Sequence, residues 1–403
     1  MSGGKRRRIN ANFEDLPNEI VYDILSRLPI SSLVQFKCVC KSWRTLTQDP
    51  NLVSHYLSST IKKDPCLVLH CDFPIRNQLY FIDFAADQEK DKVKRLNAPF
   101  WPVMPEFDVV GSCNSLLCLV DSLYHDSVYI YNPFSRNYLE LPKSLNYLDQ
   151  EVVFGFGYDP RSYKYKIVKI IYYRNGHGGG GGYPRARRLV YTQSEVQILT
   201  LGDREWRSLG KIAYQLVRRP AEALVGGRLH WVSRPRRYNP VRRIISFDLA
   251  DEKFEEVQKP ECGGLSKRNY HLVVLKGCLS AGVYCNYGRI EIWVMKEYNV
   301  KESWVKEYSI GSYMPKGLKQ NLERPFLKIW KNSLKGRVVR VLGVLKNGEV
   351  LLEYKSRILV SYDPNLGKFK DLSLQGIPKL FQTIVHVGSF NWIDNPIDRS
   401  IDT

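Results

Sequence analysis

The side chains of this sequence best suited to chemistry are guanidiniums. Arg218, Arg219, Arg234, Arg236, Arg237, Arg242 and Arg243 flank an apolar strand signal at 226–232. A guanidinium presents paired donors that fit a carboxylate or a phosphate. Such a cluster suits recognition of an acidic partner rather than bond breaking. Segment 174–243 holds fourteen Arg and one Lys against Glu195, Asp203, Glu205 and Glu222, an excess of +11 within a formal net charge of +19. More than half of the excess therefore sits in one stretch, which draws acidic protein surface, phosphorylated peptide or nucleic acid.

Other chemistry is not announced. The run Gly176-His177-Gly178 through Gly182 invites a phosphate-loop reading, but Tyr183-Pro184-Arg185 follows instead of Gly-Lys-Ser/Thr, so a surface loop is expected. The histidines at 55, 70, 125, 177, 230, 271 and 386 form no metalloprotease-like spacing, and no Gly-x-Ser-x-Gly elbow occurs. Nine cysteines are scattered without a Cys-x-x-Cys pair. The weak metal candidates Cys262, Cys278 and Cys285 lack a second close pair, so buried thiols in a reducing compartment are expected. The reading is a non-catalytic chain with no metal and no cofactor.

The elements that must hold these residues fall into two textures. Residues 13–57 read as a small helical module. Pro17 fits a first helical position, and Ile20, Ile24 and Leu28 recur every four residues, with Val21 and Leu25 widening the stripe. Pro29 ends that helix. Ser31 or Ser32 can cap a second one carrying Leu33, Phe36, Cys40 and Trp43, with Cys38–Lys41 as a candidate break. About forty residues bury little apolar surface alone, so part of this stripe awaits a partner. The module carries a net charge of −1, unlike the basic remainder. Residues 1–12 read as a basic tail, whose Lys5-Arg6-Arg7-Arg8 cluster suits nuclear import; nucleus and cytoplasm are the expected locations. With no apolar core the tail is not expected to be a secretory signal, and no run of apolar residues is long enough for a membrane helix.

A linker at 58–65 leads into short strands from Cys66 to about 390, with 391–403 as a C-terminal tail. One unit recurs there: a strand ending near an acidic or amide residue, a turn, then an aromatic-containing strand. Tyr131-Asn132-Pro133, Phe247-Asp248 and Tyr362-Asp363-Pro364 are its clearest copies. Anchors at 83, 132, 200, 248, 294 and 363 give three spacings near the 40–50 residues of a propeller blade. Insertions at Asn175–Pro184 and about 311–336 explain the two long spacings. Six units predict a mainly β chain with a small α module, its β part a six-bladed propeller. A β-sandwich or two smaller β-domains are the alternative. Gly155 and Gly157 suit close backbone approach, and Trp206 and Trp231 supply buried area.

The stretch Leu16-Pro17, Glu19-Ile20, Ile24-Leu25, Arg27-Leu28-Pro29, Ser32-Leu33, Phe36 and Val39-Cys40-Lys41-Ser42-Trp43-Arg44 resembles an F-box in its plant form. Asn114-Ser115-Leu116-Leu117-Cys118, Tyr131-Asn132-Pro133-Phe134-Ser135-Arg136, Gly155-Phe156-Gly157-Tyr158-Asp159-Pro160 and Gly226-Gly227-Arg228-Leu229-His230-Trp231 resemble the F-box-associated, kelch-related domain of the same proteins. Ser115 stands where that family usually has glycine. The resemblance implies a substrate receptor of a Skp–cullin–F-box ubiquitin ligase. Leu16, Pro17, Ile20, Ile24, Leu25, Leu28, Pro29, Leu33, Phe36, Val39, Cys40 and Trp43 would then meet the Skp-type adaptor, and the seven arginines a target protein marked for degradation. A nucleic-acid-binding protein using segment 174–243 is the alternative, although that segment carries no recognised module. A propeller oxidase would need metal ligands that the sequence does not display.

Overall fold

The computed structural model describes residues 16–28, 36, 39–47, 49, 51–52, 55–56, 65–73, 76–84, 92–100, 102–133, 136–147, 150–173, 193–235, 241–260, 268–318 and 339–386. Twenty-four strands among them form six antiparallel four-stranded sheets. The six-bladed propeller predicted from the repeat is the fold.

The first sheet joins β1 (Cys66–Phe73), β2 (Gln78–Ile82) and β3 (Val93–Leu96) to the last strand, β24 (Leu380–His386). Sheet two contains β4 (Phe107–Cys113), β5 (Leu116–Asp121), β6 (Val128–Tyr131) and β7 (Tyr138–Glu140). Sheet three contains β8 (Glu151–Asp159), β9 (Lys164–Tyr173), β10 (Gln193–Thr200) and β11 (Arg207–Gly210). The fourth runs through β12 (Ala223–Val225), β13 (Arg228–Val232), β14 (Ile244–Asp248) and β15 (Lys253–Val257). β16 (Tyr270–Leu275), β17 (Cys278–Tyr284), β18 (Ile290–Met295) and β19 (Trp304–Ile310) make the fifth. The sixth has β20 (Val339–Val344), β21 (Val350–Tyr354), β22 (Ile358–Asp363) and β23 (Lys368–Asp371). The repeat anchors all fall at the end of the third strand of a blade. The two insertions lie between β9 and β10 and between β19 and β20.

Packing explains why these strands read as continuous apolar runs rather than alternating ones. In β14 every residue is buried. Ile244 joins the cluster shared with blade five, whereas Ile245 and Phe247 join the one shared with blade three. Likewise Val68 packs toward blade two, and Leu67 and Leu69 toward blade six. Each of the six blade interfaces has its own apolar cluster. Strands buried on both faces lose the period-two alternation that a half-exposed sheet shows. The first strands of successive sheets lie side by side around the axis, β24 beside β4, β4 beside β8, and β16 beside β20. The ring is closed by β24, which pairs with β1 from Cys66↔His386 to Phe73↔Leu380 and leaves no gap between first and last blades.

Antiparallel connectivity sorts the loops. First-to-second and third-to-fourth strand turns lie at one end of the propeller, here the lower end. Second-to-third turns and the connections between blades lie at the other, upper end. The lower end has tight hairpins: Asn114-Ser115, Gly226-Gly227 and Lys276-Gly277 all have positive φ at both central residues, as a type I′ turn requires. Ser115, at φ +70°, thus adopts the backbone for which glycine is usual. Asp248 and Asp363 start lower-end turns by accepting backbone N–H bonds from Ala250 and Asp251, and from Asn365 and Leu366.

Burial also sets an acid limit. Burial pulls the imidazoles of His70, His230 and His386 down to about 4 from the usual 6.5. The unfolded chain takes up protons below 6.5 that the folded chain refuses, so stability present above pH 6.5 is lost as pH falls toward 4. Asp108 acts in the opposite sense. Burial raises it to about 6, so its contribution is present at low pH and disappears as pH rises through 6. The histidines outnumber it. Denaturation midpoints are expected to be flat between about pH 7 and 8 and to fall between 6.5 and 4. His386→Gln should flatten that slope by about one proton, or roughly 1.4 kcal/mol per pH unit. An unchanged slope in the variant would contradict this.

Candidate interaction surfaces

The N-terminal residues build a core of their own. α1 (Asn18–Ser26) begins after Pro17, whose carbonyl accepts N–H bonds from Ile20 and Val21 at 3.0 and 3.2 Å. Its start is one residue later than the sequence suggests, within ordinary boundary scatter. Phe36 is helical, the chain turns at Val39, and α2 (Lys41–Thr47) follows, so the predicted break falls at Val39–Cys40. Val21, Leu25, Leu52 and Tyr56 are buried together, with Tyr22, Leu28, Phe36 and Leu46 packed around them. Trp43 meets Phe36 edge to face, with ring centroids 4.4 Å apart, and the Tyr22 hydroxyl donates to Asp49. Burial, with smaller effects of Cys66 and Asp83, raises the pKa of the Tyr56 phenol.

The helical stripe is split by this core. Val21 and Leu25 turn inward, while Ile20 and Ile24 remain 48% and 41% exposed, Val39 is 63% exposed, and Leu16 and Cys40 are exposed too. Leu16, Ile20 and Ile24 follow one another at four-residue spacing. Together they make an apolar row on a unit with four buried apolar side chains among the described residues, and such a row gains from a partner's apolar surface.

At the upper end stand the five described arginines of the seven read from the sequence. Arg218 and Arg219 belong to the β11–β12 connection, and Arg234, Arg242 and Arg243 to the β13–β14 connection. Among the described residues, three of them form ion pairs within the chain. Arg219 pairs with Glu222 at 3.8 Å and Arg243 with Glu256 at 3.1 Å, while Arg234 pairs with buried Glu151. The Arg242 carbonyl accepts from Lys259 at 2.8 Å. Arg218 forms no ion pair among the described residues. It lies close enough to Asp108 and His125 to bias the charge of both toward the anionic or neutral form.

Beside Arg218, blades two and three carry a second upper-end feature. The buried Lys169 ammonium donates to His125 O at 2.9 Å, Ser144 Oγ at 2.7 Å, Leu145 O at 3.0 Å and Asn146 Oδ1 at 2.9 Å. Burial pulls its pKa down to about 8, against the raising effect of Asp126 and Glu195. Asn146 Nδ2 donates to Tyr124 O at 3.1 Å. Two loops are thereby tied into one platform whose outward side chains are apolar: Leu123, Tyr124 and Leu145 are 65%, 68% and 66% exposed.

Known families match both halves. Residues 13–55 match the F-box domain, and residues 69–394 match the F-box associated beta propeller domain. The chain belongs to the F-box proteins with an F-box-associated propeller. F-box protein At3g07870 of Arabidopsis thaliana is 57% identical over 399 residues, covering 97% of this chain and 95% of its own. F-box/kelch-repeat protein At3g23880 of the same plant is 30% identical over 315 residues, covering 73% and 79%. F-box protein CPR1, also from Arabidopsis thaliana, is 28% identical over 400 residues, covering 93% and 88%. An F-box implies a Skp-type adaptor and, through it, a cullin.

In this F-box protein the residues expected to meet the adaptor divide into two groups. Leu16, Pro17, Ile20, Ile24, Val39 and Cys40 are exposed, whereas Leu25 is buried in the F-box core and Leu28, Phe36 and Trp43 are half-buried against it. Leu25 therefore packs the module rather than presenting itself. Pro29, Leu33, Arg236 and Arg237 lie outside the described residues, as do the glycine run at 176–182, Cys262 and the Lys5–Arg8 cluster. Cys278 and Cys285 sit at opposite ends of β17 and do not form a pair. Sequence reasoning passed over Leu123, Tyr124 and Leu145. Their signal was faint: Leu123-Tyr124 are adjacent apolar residues in a turn whose backbone N–H groups bond the Asp121 carboxylate, at 3.0 and 2.9 Å.

Proposed function

We propose that this F-box protein is a substrate receptor of a Skp–cullin–F-box ubiquitin ligase, holding a target protein for ubiquitination and degradation. The adaptor docks on the apolar row Leu16, Ile20, Ile24, Val39 and Cys40. The target docks at the upper end of the propeller. The supporting observation is the separation of two unlike surfaces. The chain enters β1 at Cys66, at the lower end, while the arginine-bearing connections are all at the upper end. A target held there stays clear of the adaptor. Catalysis then comes from proximity, since holding target and ubiquitin-carrying enzyme together replaces a bimolecular encounter. The chain itself supplies no reacting group in this scheme, and among the described residues no cluster of three or more His, Cys, Asp or Glu is placed to hold a metal.

The test is capture of a purified Skp-type adaptor by the full chain and by Ile20→Asp/Ile24→Asp. Both side chains are already half exposed, so the variant should keep the propeller's unfolding midpoint. Its adaptor affinity is expected to fall on the order of 100-fold or more, as for loss of two central apolar anchors. Equal capture by both forms would sink the proposal. The nucleic-acid alternative has less support, because Arg219, Arg234 and Arg243 are matched to carboxylates of the chain itself. The Lys5–Arg8 cluster supports a nuclear as well as a cytoplasmic pool.

A further inference from the structure

The upper end offers more than charge. We propose that the ledge formed by Leu123, Tyr124 and Leu145, with Arg218 at its edge, docks an acidic peptide segment of the target that carries a bulky apolar residue. This rests on the receptor reading above and specifies the chemistry of the target it would take.

Three observations carry it. First, three large side chains about two-thirds exposed stand together on loops of blades two and three, where scattered single exposures would need no explanation. Second, the ledge is rigidly built. Lys169 joins the backbone of His125 to that of Leu145, Asn146 holds Tyr124, and the next aromatic, Tyr147, stacks on Tyr173 at 3.9 Å between centroids with planes 5° apart. A preformed platform costs little ordering on binding. Third, the charge around it selects the partner. Arg218 stands at the same upper end, in the β11–β12 connection, within electrostatic reach of His125, and is not matched to a carboxylate by any ion pair among the described residues. Of the nearby carboxylates, Asp108 faces Arg218 itself, and three others are occupied. Asp121 accepts from the Leu123 and Tyr124 amides, Asp126 pairs with Lys143 at 3.6 Å, and Glu106 pairs with Arg76 at 2.9 Å. By sequence, the connections at 174–192 and 233–243 carry nine arginines and no carboxylate, of which Arg234 and Arg243 are matched to Glu151 and Glu256. An apolar anchor on the ledge would therefore place flanking Asp or Glu in a positive field.

The experiment is selection of a displayed library of random 12-residue peptides on the full chain co-purified with a Skp-type adaptor. Wild type, Leu123→Ser/Leu145→Ser and Arg218→Glu are compared, and selected peptides are then measured by fluorescence anisotropy. The substituted side chains are exposed or half-buried, and unchanged unfolding midpoints verify that folding is intact. Enrichment of peptides with Phe, Leu, Ile or Trp beside Asp or Glu is expected, with affinity at least tenfold weaker on each variant. The proposal is overturned if enriched peptides are basic or lack the apolar residue, or if both variants bind them as wild type does. It is equally overturned by no enrichment above an unrelated control protein, or by enrichment only after enzymatic phosphorylation of the library. Adaptor retention is read on the same samples. Any of these failures with the adaptor retained removes the ledge alone, whereas failure of wild type to hold the adaptor removes the receptor reading.

Discussion

Trp231→Ala is expected to lower the stability of the propeller by about 3–5 kcal/mol, the cost of truncating a fully buried aromatic and leaving a cavity. Guanidinium denaturation of the purified chain measures it. Trp231 is 1% exposed on β13 and spans the interface between blades three and four. Its Nε1 donates to the Phe154 carbonyl on β8 at 3.3 Å, so the substitution also removes a buried acceptor's partner. The indole lies directly over Gly155: a Cβ there would approach Trp231 Cζ2 to 2.6 Å and Leu229 Cδ1 to 2.9 Å. Gly155→Ala alone should therefore cost about 1–3 kcal/mol through overpacking. In the Trp231→Ala background the same methyl enters vacated space, and its cost should shrink by about 1 kcal/mol or more, within the range found for residues in contact. Strict additivity of the two substitutions would contradict this packing.

The second large effect is expected at Lys169. Lys169→Met keeps the aliphatic stem but removes the ammonium that donates to four oxygens from two loops, of which Asn146 Oδ1 also accepts from Gln150 Nε2. Leaving buried acceptors without a donor costs about 1–3 kcal/mol each when no water replaces it. Part of that is offset because the variant no longer buries an ammonium. A net loss of about 2–4 kcal/mol is expected. Location matters more than size. Amide hydrogen exchange should accelerate at 121–127 and 142–147 while β14 and β18 stay protected. If exchange quickened uniformly or not at all, Lys169 would not be the tie between these loops. Weaker binding at the ledge should accompany the faster exchange, because its three side chains ride on those loops.

How much of this could be read from the residues depends on what each feature needs. The blades were legible because their third strands end in side chains with a local task. Asp248 and Asp363 bond amides two and three residues on, so the acidic residue and the strand end recur together. Gly155 and Trp231 were legible as structural residues, although nothing in the sequence says that they meet across a blade interface. The closing strand was not legible. Leu380–His386 resembles any other apolar strand, and its pairing with β1 spans more than 300 residues.

The surfaces were harder. Four-residue spacing marked the F-box stripe correctly but could not divide it. Burial of Leu25 against Leu52 and Tyr56 depends on where the chain returns after α2. Among the arginines, charge counting treated every guanidinium alike. Arg234 and Glu151 are 83 residues apart in sequence, so the pairing that spends Arg234 on the fold is visible only in three dimensions. The same holds for Lys169, which reads as one basic residue in an apolar strand and proves to be the centre of a four-oxygen hub.

Hydrogen–deuterium exchange of the full chain with and without a Skp-type adaptor tests most directly whether the two ends work separately. Protection on adaptor binding is predicted to fall on residues 16–28 and 39–47, with the upper-end segments 121–127, 142–147 and 215–222 unchanged. Protection spreading to those upper-end segments, or absent from α1, would contradict the account.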